Sequence, residues 1–252
     1  MDEFFGNTAL IVGGTTGIGA AAVDIFVRRG CNVVFAGLEG EIGNAFEQRL
    51  NAGDGGRAMF VETDVRCEEQ VAALMRRAGE RFGRIHYAVN NAGFEGPYGP
   101  LQDATEDQFD HIINVNLKGV WLGLKYQIRH MLAHGGGAIV NTSSSAGIVS
   151  IPQVGIYSAS KHGIIGLSKA AALEQAKSGI RVNVIAPGPV RTGLLSRMVG
   201  GHVPLELVAE AVPMGRISEP DEISEAILWL CSNAASYITG HTLVVDGGMT
   251  IS

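Results

Sequence analysis

The chain lacks the features that would place it in a membrane, outside the cell or on nucleic acid. Apolar runs such as AILWLC fall far short of the roughly 20 residues a bilayer span needs. The acidic start MDEFF has no basic residue of the kind that opens a signal peptide. With 19 Lys and Arg against 25 Asp and Glu the formal net charge is −6, and the cations are scattered rather than gathered into a stripe that could follow a phosphate backbone. The expectation is therefore a cytoplasmic protein whose partner is a small molecule, with no nucleic acid and no membrane.

Cysteine is also sparse. Cys31, Cys67 and Cys231 are odd in number and widely spaced, with no C-x-x-C pair, which predicts reduced packing residues rather than a disulfide framework. The NTS at 141–143 matches a glycosylation sequon that a chain without secretion would not use. No Lys-Ser/Thr follows the first glycine turn, which excludes a P-loop, and no G-x-S-x-G elbow points to a hydrolase. None of the 7 histidines sits in an H-E-x-x-H setting, so no metal is expected. No repeat, low-complexity tract or linker divides the chain, so residues 1–252 are expected to form one domain.

What is present is burial and rhythm. Hydrophobic residues make up 46% and charged residues 17% of the chain, a composition that fills a core. Seven short Val- and Ile-rich runs (TALIVGG, NVVFAG, AMFVETDV, HYAVNNAG, GAIVNTSS, RVNVIAPG and TLVVDGG) recur between longer stretches of helical period. Apolar residues at consecutive positions suit strands buried on both faces, which predicts an α/β fold with a doubly wound, mainly parallel sheet and helices on each side. The 35 glycines, about twice the usual ~7% share, mark a chain that repeatedly needs tight backbone.

Three of them, Gly13, Gly17 and Gly19, stand in VGGTTGIGA between the first strand and a helical run. Such a turn lets backbone N–H groups approach a pyrophosphate beside the positive end of a helix, although glycines there also serve close helix-on-strand packing. Farther on, YSASK places Tyr157 and Lys161 four residues apart, on one face of a helix. On a wet surface the pair would gain almost nothing.

With NNAG at 90–93, VNLKG at 115–119, SS at 143–144 and PGPVRT at 187–192 added in order, the chain resembles the short-chain dehydrogenase/reductase family over nearly its whole length. The resemblance implies a Rossmann-type sheet of about seven strands, a nicotinamide cofactor, and oxidation or reduction of an alcohol or carbonyl. It gives Tyr157 the role of general acid/base and Lys161 that of its electrostatic partner. Ser144 would hold the substrate oxygen, in the register that Gly147 sets for S-S-x-x-G, and Asn116 would hold a water linking Lys161 to solvent. For the cofactor it implies Gly13, Thr15, Thr16, Gly17, Ile18 and Gly19 at the phosphates, and Asp64 and Val65 at the adenine. Asn91, Gly93, Tyr157 and Lys161 would lie along the ribose side, and Pro187, Gly188, Val190 and Thr192 around the nicotinamide. The alternative of a silent dinucleotide-binding scaffold is disfavoured by the intact Asn116, Ser144, Tyr157 and Lys161.

Two departures stand out. Val12 replaces the Thr that usually braces the glycine turn. Gly37 and Leu38 stand where relatives that use NAD carry Asp and relatives that use NADP often carry Arg, and Thr16 takes a place often basic in the latter. Glu39, in a stretch free of Lys and Arg from Arg29 to Arg49, tips the expectation toward NAD over NADP.

Physical chemistry adds four expectations. An ammonium about 4 Å from a phenol, at an effective dielectric near 20, supplies the roughly 4 kcal/mol that brings a tyrosine about three pKa units down toward neutrality in a closed, cofactor-filled site. The stretch 193–215, with Leu194, Leu195, Met198 and Val199, reads as a substrate lid. Ile148, Ile151 and Gln153 are expected near a mainly apolar pocket for a secondary alcohol or ketone, with His162 packing nearby. Ile112, Trp121, Leu122, Leu124, Ile164, Ile165 and Leu167 exceed what one sheet face needs, which with the family's habit predicts a homotetramer.

Overall fold

All seven apolar runs become strands: β1 (Thr8–Val12), β2 (Asn32–Gly37), β3 (Ala58–Glu62), β4 (Tyr87–Asn90), β5 (Gly137–Thr142), β6 (Ile180–Pro187) and β7 (Thr242–Val245). The computed structural model describes residues 3–200 and 203–252. The helices are α1 (Gly17–Arg28), α2 (Gly40–Asn51), α3 (Glu68–Phe82), α4 (Glu106–Ile113), α5 (Gly119–Ala133), α6 (Gly155–Gln175), α7 (Gly193–Val199), α8 (Leu205–Glu210) and α9 (Pro220–Cys231).

The strands pair in parallel in the order β3-β2-β1-β4-β5-β6-β7. Strand β1 shows why its run is apolar at every position. Side chains alternate along a strand: Ala9 and Ile11 pack toward α1 and α9, whereas Leu10 and Val12 join Leu74, Met75 and Ala78 of α3 on the other face. All five residues of β1 are buried. The chain runs outward from β1 to β3, then crosses back to β4 on the other side. A doubly wound sheet opens a crevice at such a reversal, outside the carboxyl ends of its strands.

Between α4 and α5 a π-helical turn, Asn114–Lys118, displaces the chain by one residue, with the Gly119 amide donating to the Asn114 carbonyl. The insertion turns Asn116 inward, where it is fully buried. The apolar surplus read from these long helices proves smaller than the sequence suggests, because Ile112, Leu122, Leu124 and Ile164 are all buried within the chain. Trp121 remains 44% exposed. No helix among the described residues is long and apolar enough to cross a membrane.

Candidate active site

A cavity of about 870 Å³ lies at the carboxyl ends of the strands. Its walls include all the expected dinucleotide-binding residues except Gly19, together with Ser144. Its first wall is the β1–α1 turn. Gly13, at φ 77, takes a conformation that side chains disfavour. A Cβ at Gly19 would fall 1.8 Å from the Gly13 carbonyl oxygen, so the first turn of α1 rests directly on the turn before it. With Val12 in place of a hydroxyl residue, Asn91 braces this turn: its amide donates to the Val12 carbonyl at 2.9 Å and its side-chain Nδ2 to the Gly13 carbonyl at 3.1 Å. Asn91, expected against the ribose, thus commits one of its two side-chain N–H donors to the backbone.

The residues present fit a dinucleotide. The N-cap Thr16 makes no side-chain capping bond and the first turn of α1 carries no acidic residue, so its amides and its positive end are uncompensated. Thr142, on the cavity wall, has a buried hydroxyl with no hydrogen-bond partner. The Thr15 hydroxyl donates to Glu39 Oε2 at 2.7 Å, drawing that carboxylate toward the end of β2. There a Cβ on Gly37 would lie 2.7 Å from the Thr15 side chain and 3.2 Å from Glu39 Oε2. The space where relatives carry an aspartate is closed by Thr15 and edged by Glu39. Asp64 is held by Arg66, with Nη2–Oδ2 at 2.6 Å, and this hydrogen bond keeps its carboxyl below the ordinary range.

Tyr157 and Lys161 lie one turn apart on α6, 6% and 3% exposed. Burial pushes the Tyr157 phenol up to about 12, against a smaller pull downward from its hydrogen bond with Ser144 and a further push up from the charge of Glu95. Burial pulls the Lys161 ammonium down to about 8. Lys161 Nζ stands 5.4 Å from the centre of the tyrosine ring and donates to the Thr142 carbonyl at 3.0 Å. In the protein alone burial thus governs both groups, whereas the lowering of the phenol by its lysine is expected of the closed, cofactor-filled site.

The neighbours of Tyr157 fall into place by register. Ser144 caps the short turn Ser145–Gly147, accepting from the Ala146 amide at 3.1 Å. Ser143 points away and donates to the Lys161 carbonyl at 2.8 Å. A Cβ on Gly147 would lie 2.4 Å from Ser143 Oγ, which explains the glycine of the serine motif. The side chain of Asn116 is largely engaged by its neighbours. Its Oδ1 accepts from the Phe94 amide at 2.7 Å, and its Nδ2 donates to the Phe94 carbonyl at 2.9 Å and to Ser160 Oγ at 3.0 Å. The amide clamps the loop after β4 with both of its N–H donors and one lone pair of Oδ1, and the second lone pair is left for the expected water. Gly93 lies beside it, its Cβ position 3.5 Å from Lys161 Nζ.

The expected apolar residues separate into two sets. Leu194, Leu195, Met198 and Val199 line the cavity together with Val203, Leu207 and Val208. Gly201 and His202, inside the expected lid, lie outside the described residues. Ile151 lines the cavity, but Ile148 is 39% exposed and not on its wall. Gln153 is also absent from the wall, since its left-handed backbone (φ 71) turns the carbonyl to the Gly99 amide at 2.9 Å. The ring of His162 turns to its own helix, Nδ1 2.9 Å from the Ser158 carbonyl. Phe94, Tyr98 and His111 are among the wall residues not anticipated, because each lies in a loop or helix whose approach to the site only the fold decides.

The family described as enoyl-(acyl carrier protein) reductase matches residues 12–250. A 2,5-dichloro-2,5-cyclohexadiene-1,4-diol dehydrogenase of Sphingobium indicum is 40% identical over 99% of each chain. A cis-4-hydroxycyclohexanecarboxylate dehydrogenase of Sinomonas cyclohexanicum is 39% identical over 99% of this chain and 98% of its own. The crystal structure of a short-chain type dehydrogenase/reductase from Mycobacterium marinum superposes with a TM-score of 0.93 at 33% identity, covering 99% of this chain and 97% of that one.

Proposed function

The chain belongs to the short-chain dehydrogenase/reductase family and is an NAD(P)-dependent oxidoreductase acting on an alcohol or ketone, and we propose that its substrate is a cyclic secondary alcohol or the corresponding ketone. The observation that carries this reading is the placement of Ser144 and Tyr157 on the wall of a cavity that apolar side chains of α7 and α8 also line. The names of the two relatives, both oxidising hydroxyls on six-membered rings, support it.

A bound nicotinamide dinucleotide supplies or accepts the hydride. The turn from Gly13 to Gly19 would hold its pyrophosphate, Asp64 and Val65 its adenine, and the strand-end segment from Pro187 to Thr192 its carboxamide. Tyr157 gives a proton from Oη to the substrate oxygen during reduction and, as the phenolate, takes it back during oxidation. Ser144 holds that oxygen, and Lys161, an ammonium at neutral pH, stabilises the phenolate left behind. Oxidation reverses these steps. Asn116 fixes the loop that carries Gly93 and so positions the floor beneath Lys161.

In this reading residues 1–252 act as one catalytic domain in the cytoplasm, with 193–215 as the substrate lid. NAD is preferred to NADP through Glu39. The protein works as a homotetramer, for which two separate apolar surfaces are available: Trp121, Leu132 and Leu173 on α5 and α6, and Trp229, Tyr237 and Val244 around the edge strand β7. The test is a screen of cyclohexanols, cyclohexanediols and their ketones with each cofactor, following the absorbance of the reduced nicotinamide. Turnover confined to acyclic or strongly polar carbonyls would refute the substrate class.

A further inference from the structure

The loop that Asn116 clamps carries a buried carboxylate that the mechanism above does not use. Glu95 follows Phe94 directly, and its side chain is 4% exposed. Its partner comes from 102 residues away. Arg197 of α7 places Nε 2.6 Å from Oε1 and Nη2 3.3 Å from Oε2, a two-pronged contact. The arginine side chain is 62% exposed and lies at the mouth of the main cavity. Behind the cavity wall, Glu95 and Tyr157 border one small void.

This arrangement ties two things together. Helix α7 has only seven residues, too few to hold itself in place. Its N-terminal end is fixed by the Thr192 hydroxyl, which accepts from the Leu195 amide at 3.4 Å. Toward its C-terminal end the polar anchor is Arg197 on Glu95, beside the apolar contact of Met198 with Ala146, Val154 and Tyr157. Leu194 and Leu195, on the cavity wall, lie between Thr192 and Arg197, and Met198, also on the wall, follows Arg197 directly. At the same time the guanidinium neutralises a carboxylate placed beside the phenol that must release and regain a proton. A carboxylate buried without a partner is costly, so the pair resists opening.

We propose that Glu95 and Arg197 are a positioning pair for the reaction: the carboxylate anchors α7 over the substrate cavity, and the guanidinium masks its negative charge from Tyr157. The proposal rests on the reading of Tyr157 as proton carrier. Around that phenol the charged and titratable groups are Lys161 on the same helix, Glu95 on the loop after β4 and Arg197 on α7, with His111 of α4 on the wall of the same cavity. Glu95 already pushes the phenol upward with its partner in place. Without Arg197 that push grows, and without the carboxylate it vanishes.

The experiment compares Arg197→Met, Glu95→Gln and the double variant, with Arg197→Lys retained in case the methionine variant folds poorly. Hydrogen exchange of the α7 amides, measured on the protein without ligands, reads the anchor. About a tenfold loss of protection is expected in each single variant, with no further loss in the double. The pH profile of kcat/KM with a cyclic alcohol and NAD reads the masking. Arg197→Met should move the Tyr157-dependent ionisation to higher pH and Glu95→Gln to lower pH, and the double variant should follow Glu95→Gln. A purely structural pair would move both singles alike, which would overturn the masking. Unchanged exchange in α7 would overturn the anchor. A defect in Arg197→Met confined to carboxylate-bearing substrates would also overturn the proposal, making Arg197 a contact for a substrate anion. If the wild type turned over none of the alcohols, the functional reading would fall, while the exchange data would still decide the anchor.

Discussion

Replacing Glu39 with Gln should weaken the preference for NAD, and the structure sets the scale. The Glu39 carboxylate is fixed by the Thr15 hydroxyl at 2.7 Å and lies 3.2 Å from where a side chain on Gly37 would begin, at the end of β2. A charge-assisted hydrogen bond from a ribose hydroxyl to a carboxylate contributes about 1.5–3 kcal/mol, and a neutral amide retains about half of it. A loss near 1.4 kcal/mol is about a tenfold fall in kcat/KM with NAD. Against NADP the carboxylate acts by repulsion. At about 4 Å in a water-exposed mouth each unit of phosphate charge costs about 1 kcal/mol, so a phosphate of about −1.5 to −2 should bind roughly ten times better to the amide variant. The ratio of kcat/KM for NAD to that for NADP should therefore fall by about two orders of magnitude. Thr15→Val, which leaves the charge but frees the carboxylate, should cost NAD less than the Glu39 variant and relieve NADP hardly at all. The assay is initial rate with each cofactor on one alcohol. A wild-type preference for NADP, or a ratio unmoved by Glu39→Gln, would refute the reasoning.

Three further outcomes follow from particular contacts. Lys161 titrates near 8 in the folded chain against an ordinary 10.5. The folded state thus holds fewer protons than the unfolded one between those values, and stability should rise with pH across that window, by up to roughly 3 kcal/mol at 1.36 kcal/mol per pKa unit. In Lys161→Met, thermal unfolding of the ligand-free protein should lose that rise, and a wild-type curve flat or falling between pH 8 and 10 would contradict it. Asn116→Ala removes three hydrogen bonds within a buried site. At about 1 kcal/mol each, it should lower stability by roughly 3 kcal/mol in denaturant unfolding, with a loss of kcat greater than any rise in KM. Trp121→Glu places a charge on the exposed apolar surface of α5 and should leave the fold intact while halving the assembly from tetramer to dimer in light scattering; an unchanged tetramer would move the interface elsewhere.

The strands were legible because a doubly wound sheet buries both faces of each central strand, and that double burial is what an uninterrupted apolar run of strand length records. The glycine turn and the order of Ser144, Tyr157 and Lys161 were legible because each is a short pattern of local spacing. What depended on the third dimension was not. The Asn116 motif was visible, but the π-helical turn that points its amide at Phe94 was not. Tyr157 and Lys161 were read as a close pair from their spacing, yet the lysine turns to the Thr142 carbonyl and burial governs both groups. Ile148 and Gln153 were expected at the cavity with Ile151, yet only Ile151 lines it, and Gln153 takes a left-handed backbone that turns its carbonyl to Gly99. Glu95 and Arg197 carry no motif at all. Their meeting is a property of where β4 and β6 end in the sheet, which no stretch of local sequence encodes.

The central claim is that Tyr157 carries the proton in a hydride-transfer reaction, and Tyr157→Phe tests it most directly. Among the described residues the hydrogen-bond partner of the phenol is Ser144, so the variant should fold and bind the nicotinamide cofactor with nearly unchanged affinity in a fluorescence titration. Its kcat, followed by the absorbance of the reduced nicotinamide, should fall by at least the typical 10²-fold of a lost general acid/base. Retention of more than about a tenth of the wild-type kcat, beyond what loss of that group allows, would contradict the account and remove Tyr157 from the chemistry.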